Sequence, residues 1–275
     1  MSHEIKRLAG YCLGFLLFYA PFAFFQKTIF FLVTGRWLDL TIHSLCLRIP
    51  IEHILDGRFF RTSPTQLACV MLLILLAIFC GPIFCGKLCP AGAFPEYLSR
   101  IVPARFKIEW GKHVDIVPIR YGMMVGFMTI PFFSGILACA YCNYYLFDLF
   151  THYYIFGYSV SLSSSLLLTM VFYVFIFGLF TKGGRGFCNF LCPVGAFFNF
   201  CWFLGRFLPY HTDIKIDQAA CVKCGQCQRN CPMDAVIKEN GVYSINKHNC
   251  ILCGTCKANC PQKAIEKGWG KHHEA

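Results

Sequence analysis

A helical membrane domain of four transmembrane helices, followed by a small cysteine-rich α+β domain, is the fold class this sequence predicts. Three observations carry it. Hydrophobic residues make up 56% of the 275 and charged residues only 14%, more apolar surface than a soluble core of this size hides. The apolar residues fill the chain up to about Pro209, whereas from His211 onward it is polar and free of long apolar runs. The 19 cysteines gather mostly in short C-x-x-C and C-x-x-x-C groups, which reads as metal ligation in a reducing compartment rather than as a disulfide framework.

Four segments reach the roughly 20 apolar residues a spanning helix needs: Leu8 to Val33, Gln66 to Phe84, Pro118 to Leu137, and Leu162 to Phe180. They hold no Lys or Arg apart from Lys27 and Arg120. Lys6 and Arg7 before the first segment resemble the start of a signal peptide, but the run is longer than an ordinary signal core and no A-x-A site closes it.

Loop charges set an orientation. The loop after the second segment holds Lys87, Arg100, Arg105, Lys107 and Lys112, the stretch after the fourth holds Lys182, Arg185 and Arg206, and Ala138 to Ser161 holds no Lys or Arg. The expectation is a multi-pass protein of the bacterial cytoplasmic (inner) membrane, with both termini and the C-terminal domain in the cytoplasm. Arg36, Arg48, Arg58 and Arg61 in the first outer loop run against it, partly balanced by Asp39, Glu52 and Asp56. In that loop Trp37 to Leu55 has apolar residues at near-helical spacing and suits a surface-lying segment. The formal charge of +11 is explained by this topology and by compensation of anionic centres, so no nucleic-acid partner is expected.

Two blocks dominate the end of the chain, Cys221-x-x-Cys224-x-x-Cys227-x-x-x-Cys231-Pro232 and Cys250-x-x-Cys253-x-x-Cys256-x-x-x-Cys260-Pro261. Both satisfy C-x-x-C-x-x-C-x-x-x-C-P, the ligand run of a bacterial two-cluster ferredoxin. Three close thiolates wrap one face of a cubane, and the fourth points at the other cluster. One 4Fe-4S cluster is therefore expected in Cys221, Cys224, Cys227 and Cys260, the second in Cys250, Cys253, Cys256 and Cys231. Residues 211–275 then form an α+β bacterial-type 2×(4Fe-4S) ferredoxin domain after a transmembrane domain over 1–210, with short strands at Ala235 to Lys238, Val242 to Ile245 and Ala264 to Glu266. Lys223, Arg229, Lys257 and Lys263 are candidates for tempering cluster charge, or plain solvated surface. Structural zinc is the competing use of the cysteines, and the twofold repeat with prolines argues against it.

The membrane half repeats internally. Phe84-Cys85-x-x-x-Cys89-Pro90-x-Gly92-Ala93-Phe94 matches Phe187-Cys188-x-x-x-Cys192-Pro193-x-Gly195-Ala196-Phe197, each copy following a segment, as in a two-helix unit used twice. On helical turns both thiols of a pair share a face. Cys85, Cys89, Cys188 and Cys192 are thus a candidate third metal centre, with redox-active dithiols and structural packing as the other readings. Cys139 and Cys142 lack the following His of a haem attachment site, leaving an oxidised pair, a ligand pair or packing. Cys12, Cys46, Cys69, Cys80 and Cys201 fit no spacing and read as buried small apolar residues. His43, His53, His152, Asp39, Glu52 and Asp148 are candidates to accept quinol protons, each more ordinarily a surface or packing residue. No nucleotide, flavin or haem motif is present.

Four segments, paired C-x-x-x-C-P motifs and a terminal two-cluster block together resemble the NapH family, membrane quinol dehydrogenase subunits of periplasmic nitrate reductase systems, with similar modules in nitrous-oxide reductase systems. The resemblance covers nearly the whole chain. It implies an enzyme-like quinol dehydrogenase role in anaerobic respiration, with quinol as electron donor, membrane lipid as surroundings and a NapG-type iron-sulfur protein as acceptor. It also creates a tension, since that reductase lies outside while the loop charges place the clusters inside. The alternative function is maturation of a metalloenzyme by metal reduction or assembly; such relatives usually carry a further C-terminal domain, and this sequence stops at Ala275. A bare membrane anchor does not require two complete cluster motifs.

Overall fold

The computed structural model describes residues 3–19, 22–37, 46, 48–55, 57, 63–130, 142, 145–148 and 164–269. Helix α1 runs His3–Phe18 and α2 Phe24–Thr34. Between them Ala23 takes a left-handed conformation (φ 43°) close after Pro21 in sequence, so the first long apolar run forms two helices rather than one. Helix α3, Arg48–Leu55, follows.

Helix α4, Pro64–Cys80, starts on Ser63, whose Oγ accepts from Gln66 N at 3.2 Å, and has Pro64 in its first turn. It stops at Gly81, whose φ of 71° favours glycine. A π-type turn, Phe84–Leu88, leads into α5, Pro90–Ser99. Helix α6, Ile116–Thr129, is capped by Asp115 Oδ1 on Val117 N. Helix α7, Ser164–Val171, continues into a π-type segment, Phe172–Leu179. Short α8, Gly186–Phe190, then precedes α9, Pro193–Gly205.

These breaks correct the expected architecture. Among the described residues no helix is long and apolar enough to cross a membrane, so the four transmembrane helices and the multi-pass inner-membrane placement, with its cytoplasmic termini, are overturned. The physical reason is punctuation: Ala23 and Gly81 interrupt runs that composition alone reads as continuous, and the fourth run forms only a short α-helix continued by a π-type segment. The apolar residues instead divide between a core of Tyr19, Cys69, Leu73, Ala77, Phe84 and Phe198 and outward faces bearing Leu13, Leu32, Met71, Val125 and Leu168. Leu137 and Leu162, the ends of two expected spans, lie outside the described residues, as do residues 38–45, 47, 56 and 58–62 of the first outer loop.

The C-terminal part holds two small antiparallel sheets. Strand β1, Thr212–Ile216, pairs with β4, Ile265–Trp269; β2, Val236–Glu239, pairs with β3, Val242–Ile245. Helices α10, Gln226–Arg229, and α11, Thr255–Ala258, lie within the cysteine blocks. The blocks repeat one backbone path: Lys223, Gly225 and Asp234 have positive φ, as do Leu252, Gly254 and Lys263 at the matching positions. One core, containing Ile214, Met233, Ile251, Leu252 and Ile265, also includes Cys188 and Trp202 from the helical part. Trp202 Nε1 donates to Thr212 O at 2.7 Å, fixing the crossing between the two.

Candidate iron-sulfur centres

Two cavities lie in the C-terminal part, each lined by four cysteines. The outer one is lined by Cys221, Cys224, Cys227 and Cys260 beside Tyr243 and Ile265. The inner one is lined by Cys231, Cys250, Cys253 and Cys256 beside Met233 and Leu252. Each block thus sends its fourth cysteine to the other block's cavity. Short helices α10 and α11 deliver Cys227 and Cys256, and the turns before them use Gly225 (φ 72°) and Gly254 (φ 79°), where a side chain is strained.

The donor chemistry suits an anionic cluster. Burial, with Cys253 adding, pushes the Cys231 thiol up to about 12, and the same two causes push Cys256 up to about 12. Ionising such thiols without a positive partner is costly, whereas coordination deprotonates them outright. Backbone amides already point at sulfur: Ala235 N donates to Cys231 Sγ at 3.3 Å and Leu252 N to Cys250 Sγ at 3.4 Å. Among the described residues no disulfide occurs, and no three His, Cys, Asp or Glu groups close in on a single metal ion. The two sets differ in access: Cys224 is exposed and Cys221 and Cys260 half-buried, while all four inner thiols are buried. Of the four candidate charge-tempering residues, all solvent-exposed, Arg229 bonds Cys224 O at 3.0 Å.

The helical part gathers four more thiols. In both copies of the repeat the amide of the second cysteine reaches back five residues, Cys89 N to Phe84 O at 2.8 Å and Cys192 N to Phe187 O at 3.0 Å. The second cysteine then caps a helix with proline at its first position. The first copy forms a π-type turn over Phe84–Leu88, and the second the short α-helix α8. Cys85, Cys89, Cys188 and Cys192 are near enough to repel one another's ionised forms. Burial and Cys188 raise the Cys89 thiol to about 11. Cys85 and Cys89 are half-buried, and Cys188 and Cys192 are buried.

Sequence reasoning missed the polar frame of this region. Arg7 and Arg185 converge on Glu96 at 2.7 and 2.6 Å, and Tyr11 joins them through its hydroxyl. Arg120 donates to Asn199 Oδ1 at 2.8 Å, and Asn199 Nδ2 donates to Cys250 O at 2.8 Å. The available signal was a charge beside or within an apolar run, at Arg7 and Arg120. Of the other sequence candidates, Cys139, His43, His152 and Asp39 lie outside the described residues, as does the side chain of Glu52. Cys142 is half-buried, Asp148 buried and His53 partly exposed, and none of them stands at these cavities. Cys69 and Cys201 are buried in the helical core as expected, Cys46 and Cys80 are half-buried, and Cys12 is exposed, contrary to expectation.

Comparison with known proteins agrees with this chemistry. A model of a 4Fe-4S dicluster domain matches residues 220–265, and a model of a 4Fe-4S binding domain matches twice, at 62–109 and 165–210, around the two C-x-x-x-C-P copies. The matched domains support a ferredoxin-type 4Fe-4S protein, and the structure is helical with small sheets. Its relatives include an uncharacterized protein of Methanocaldococcus jannaschii, 26% identical over 78% of this chain and 82% of its own length. The methylamine utilization ferredoxin-type protein MauN of Paracoccus denitrificans is 26% identical over 64% of this chain and 56% of its own. The ferredoxin-type protein NapH of Haemophilus influenzae is 25% identical over 67% of this chain and 59% of its own. These likenesses place the chain among ferredoxin-type electron-transport proteins and single out no member, so the NapH-specific resemblance reduces to that broader group. No solved structure matches the chain.

Proposed function

We propose that the chain relays single electrons through two 4Fe-4S clusters, one held by Cys221, Cys224, Cys227 and Cys260 and the other by Cys231, Cys250, Cys253 and Cys256. The observation that carries this is the interlocked lining of the two cavities, four thiols each. It keeps 210/211 as the working boundary between a helical domain and the cluster domain. Bound clusters supply reversible one-electron chemistry. The chain's part is to bury the inner set, aim the amides of Ala235 and Leu252 at sulfur, and leave Cys224 accessible. A redox partner meets the relay at the outer set, where Val222 and Cys224 face solvent. Quinol as the electron donor, and a NapG-type iron-sulfur protein as acceptor, rest on the resemblance of the paired C-x-x-x-C-P motifs.

The test is anaerobic purification followed by titration with a reduced quinol analogue, watching the broad visible absorption of the clusters. Bleaching by quinol supports the whole reading. Clusters that dithionite bleaches and quinol leaves unchanged remove the donor assignment, and a protein without cluster absorption removes the relay.

A further inference from the structure

Four thiols of the helical part and a wholly buried guanidinium remain unused by the two-cluster relay. Cys85, Cys89, Cys188 and Cys192 come from two copies of one motif, and the copies meet: a Cβ added at Gly92 in the first would lie 3.3 Å from Cys188 Sγ in the second. Arg120 is 1% exposed, and ionised Cys192, Cys85 and Cys188 would each favour its charge. Its Nη2 is taken by Asn199, while Nε and Nη1 meet no hydrogen-bond partner among the described residues. A buried cation left with two free donors is costly unless something anionic sits beside it. Arg185 approaches from the other side, donating through Nη1 to Cys85 O at 2.8 Å.

The glycines of the repeat make room for these cations. A Cβ added at Gly92 would lie 2.7 Å from Arg185 Nη1 and 3.3 Å from Cys188 Sγ. One added at Gly195 would lie 2.9 Å from Arg120 Nη2 and 3.7 Å from Cys192 Sγ. Each copy thus clears space for a guanidinium beside a thiol. Four thiolates around an oxidised iron-sulfur cluster leave net negative charge, which Arg120 and the shared charge of Arg185 offset.

We propose that Cys85, Cys89, Cys188 and Cys192 bind a third iron-sulfur cluster, with Arg120 and Arg185 as its buried counter-charges. Its place is next to the inner ferredoxin set. Gly86, the neighbour of Cys85, lies so close to Ile251 O and the Cys253 backbone that no side chain fits between. Asn199 joins Arg120 to Cys250 O, and Cys188 shares a core with Cys250, Cys253 and Cys256. As a third station this rests on the relay reading; as a binding site it does not.

Iron and acid-labile sulfide, counted per chain on anaerobically prepared full-length protein, test it without any variant. The expected content is about twelve of each, three cubanes, against about eight for two. The Cys85→Ser/Cys188→Ser double variant is expected to lose about a third of both while keeping the paramagnetic signals of the reduced ferredoxin pair. Arg120→Gln is expected to make the third centre harder to reduce and leave the other two unmoved, with Arg120→Lys restoring it. Two clusters only, iron unchanged by the double substitution, zinc at these cysteines, or four thiols open to alkylation in the iron-loaded protein would each overturn the inference. A protein with no iron at all would overturn the relay together with the third centre, whereas two clusters only would spare the relay.

Discussion

The carboxylate of Glu96 receives Nε of Arg185 at 2.6 Å and Nη2 of Arg7 at 2.7 Å, tying the first helix to both copies of the cysteine motif. All three side chains are nearly inaccessible to solvent. Two cations on one buried carboxylate leave positive charge that the more exposed Glu4, 3.6 Å from Arg7, offsets only in part.

Removing that carboxylate strands two buried guanidinium groups. Glu96→Gln is therefore expected to destabilise the fold by about 3–5 kcal/mol in a denaturant titration. An Arg185→Gln exchange leaves Arg7 still paired and is expected to cost less.

The same carboxylate predicts an acid dependence. Burial alone would raise its ionisation point, but Arg185 and Arg7 outweigh burial and hold it below the ordinary carboxylate range. A depressed value stabilises the fold above the unfolded value of about 4.3 and loses that contribution as pH falls through the folded one. The stability gap between wild type and Glu96→Gln is thus constant near neutrality and shrinks with acidification below that point, as pH-dependent denaturant midpoints will register.

Asn199 connects the helical part to the second cysteine block. Its amide donates to Lys247 O at 2.5 Å and Cys250 O at 2.8 Å while its carbonyl takes Arg120. Asn199→Ala leaves buried groups on both sides unsatisfied, a cost of about 1–3 kcal/mol. Asn199→Asp keeps the Arg120 contact but loses both donors, so faster hydrogen exchange at residues 247–253 is expected in both variants.

Gly86 permits a backbone approach that no larger residue allows. Gly86→Ala forces the turn away from Ile251 and is expected to cost about 1–3 kcal/mol by overpacking. Gly122→Ala, in helix α6 with open space around its Cα, is the contrasting case and is expected to stabilise by up to about 1 kcal/mol. Paired thermal melts separate them.

The legible parts of this sequence were those in which spacing dictates geometry. The two C-x-x-C-x-x-C-x-x-x-C-P blocks led directly to which thiols share a cavity, because one helical turn separates the third cysteine from the fourth. The repeat of Cys85-x-x-x-Cys89-Pro90 at Cys188-x-x-x-Cys192-Pro193 was equally visible. Helix continuity was not. Mean hydropathy over 20 residues is blind to a single left-handed residue such as Ala23 or a glycine stop such as Gly81, and these divide the apolar runs. Strand β1 escaped notice because Thr212-Asp213-Ile214-Lys215-Ile216 owes its place to its partner β4. The Glu96 and Arg120 networks join residues far apart in sequence, which no local pattern encodes.

The crossing of the two blocks is tested by one comparison: electron paramagnetic resonance of dithionite-reduced Cys231→Ser beside Cys250→Ser and Cys227→Ser. Cys231 lies in the first block but lines the second block's cavity. The account predicts that Cys231→Ser perturbs the same signal as Cys250→Ser and spares the one altered by Cys227→Ser. If Cys231→Ser instead altered the Cys227 signal and left the Cys250 signal intact, each block would enclose its own cluster, and the interlocked arrangement would be wrong.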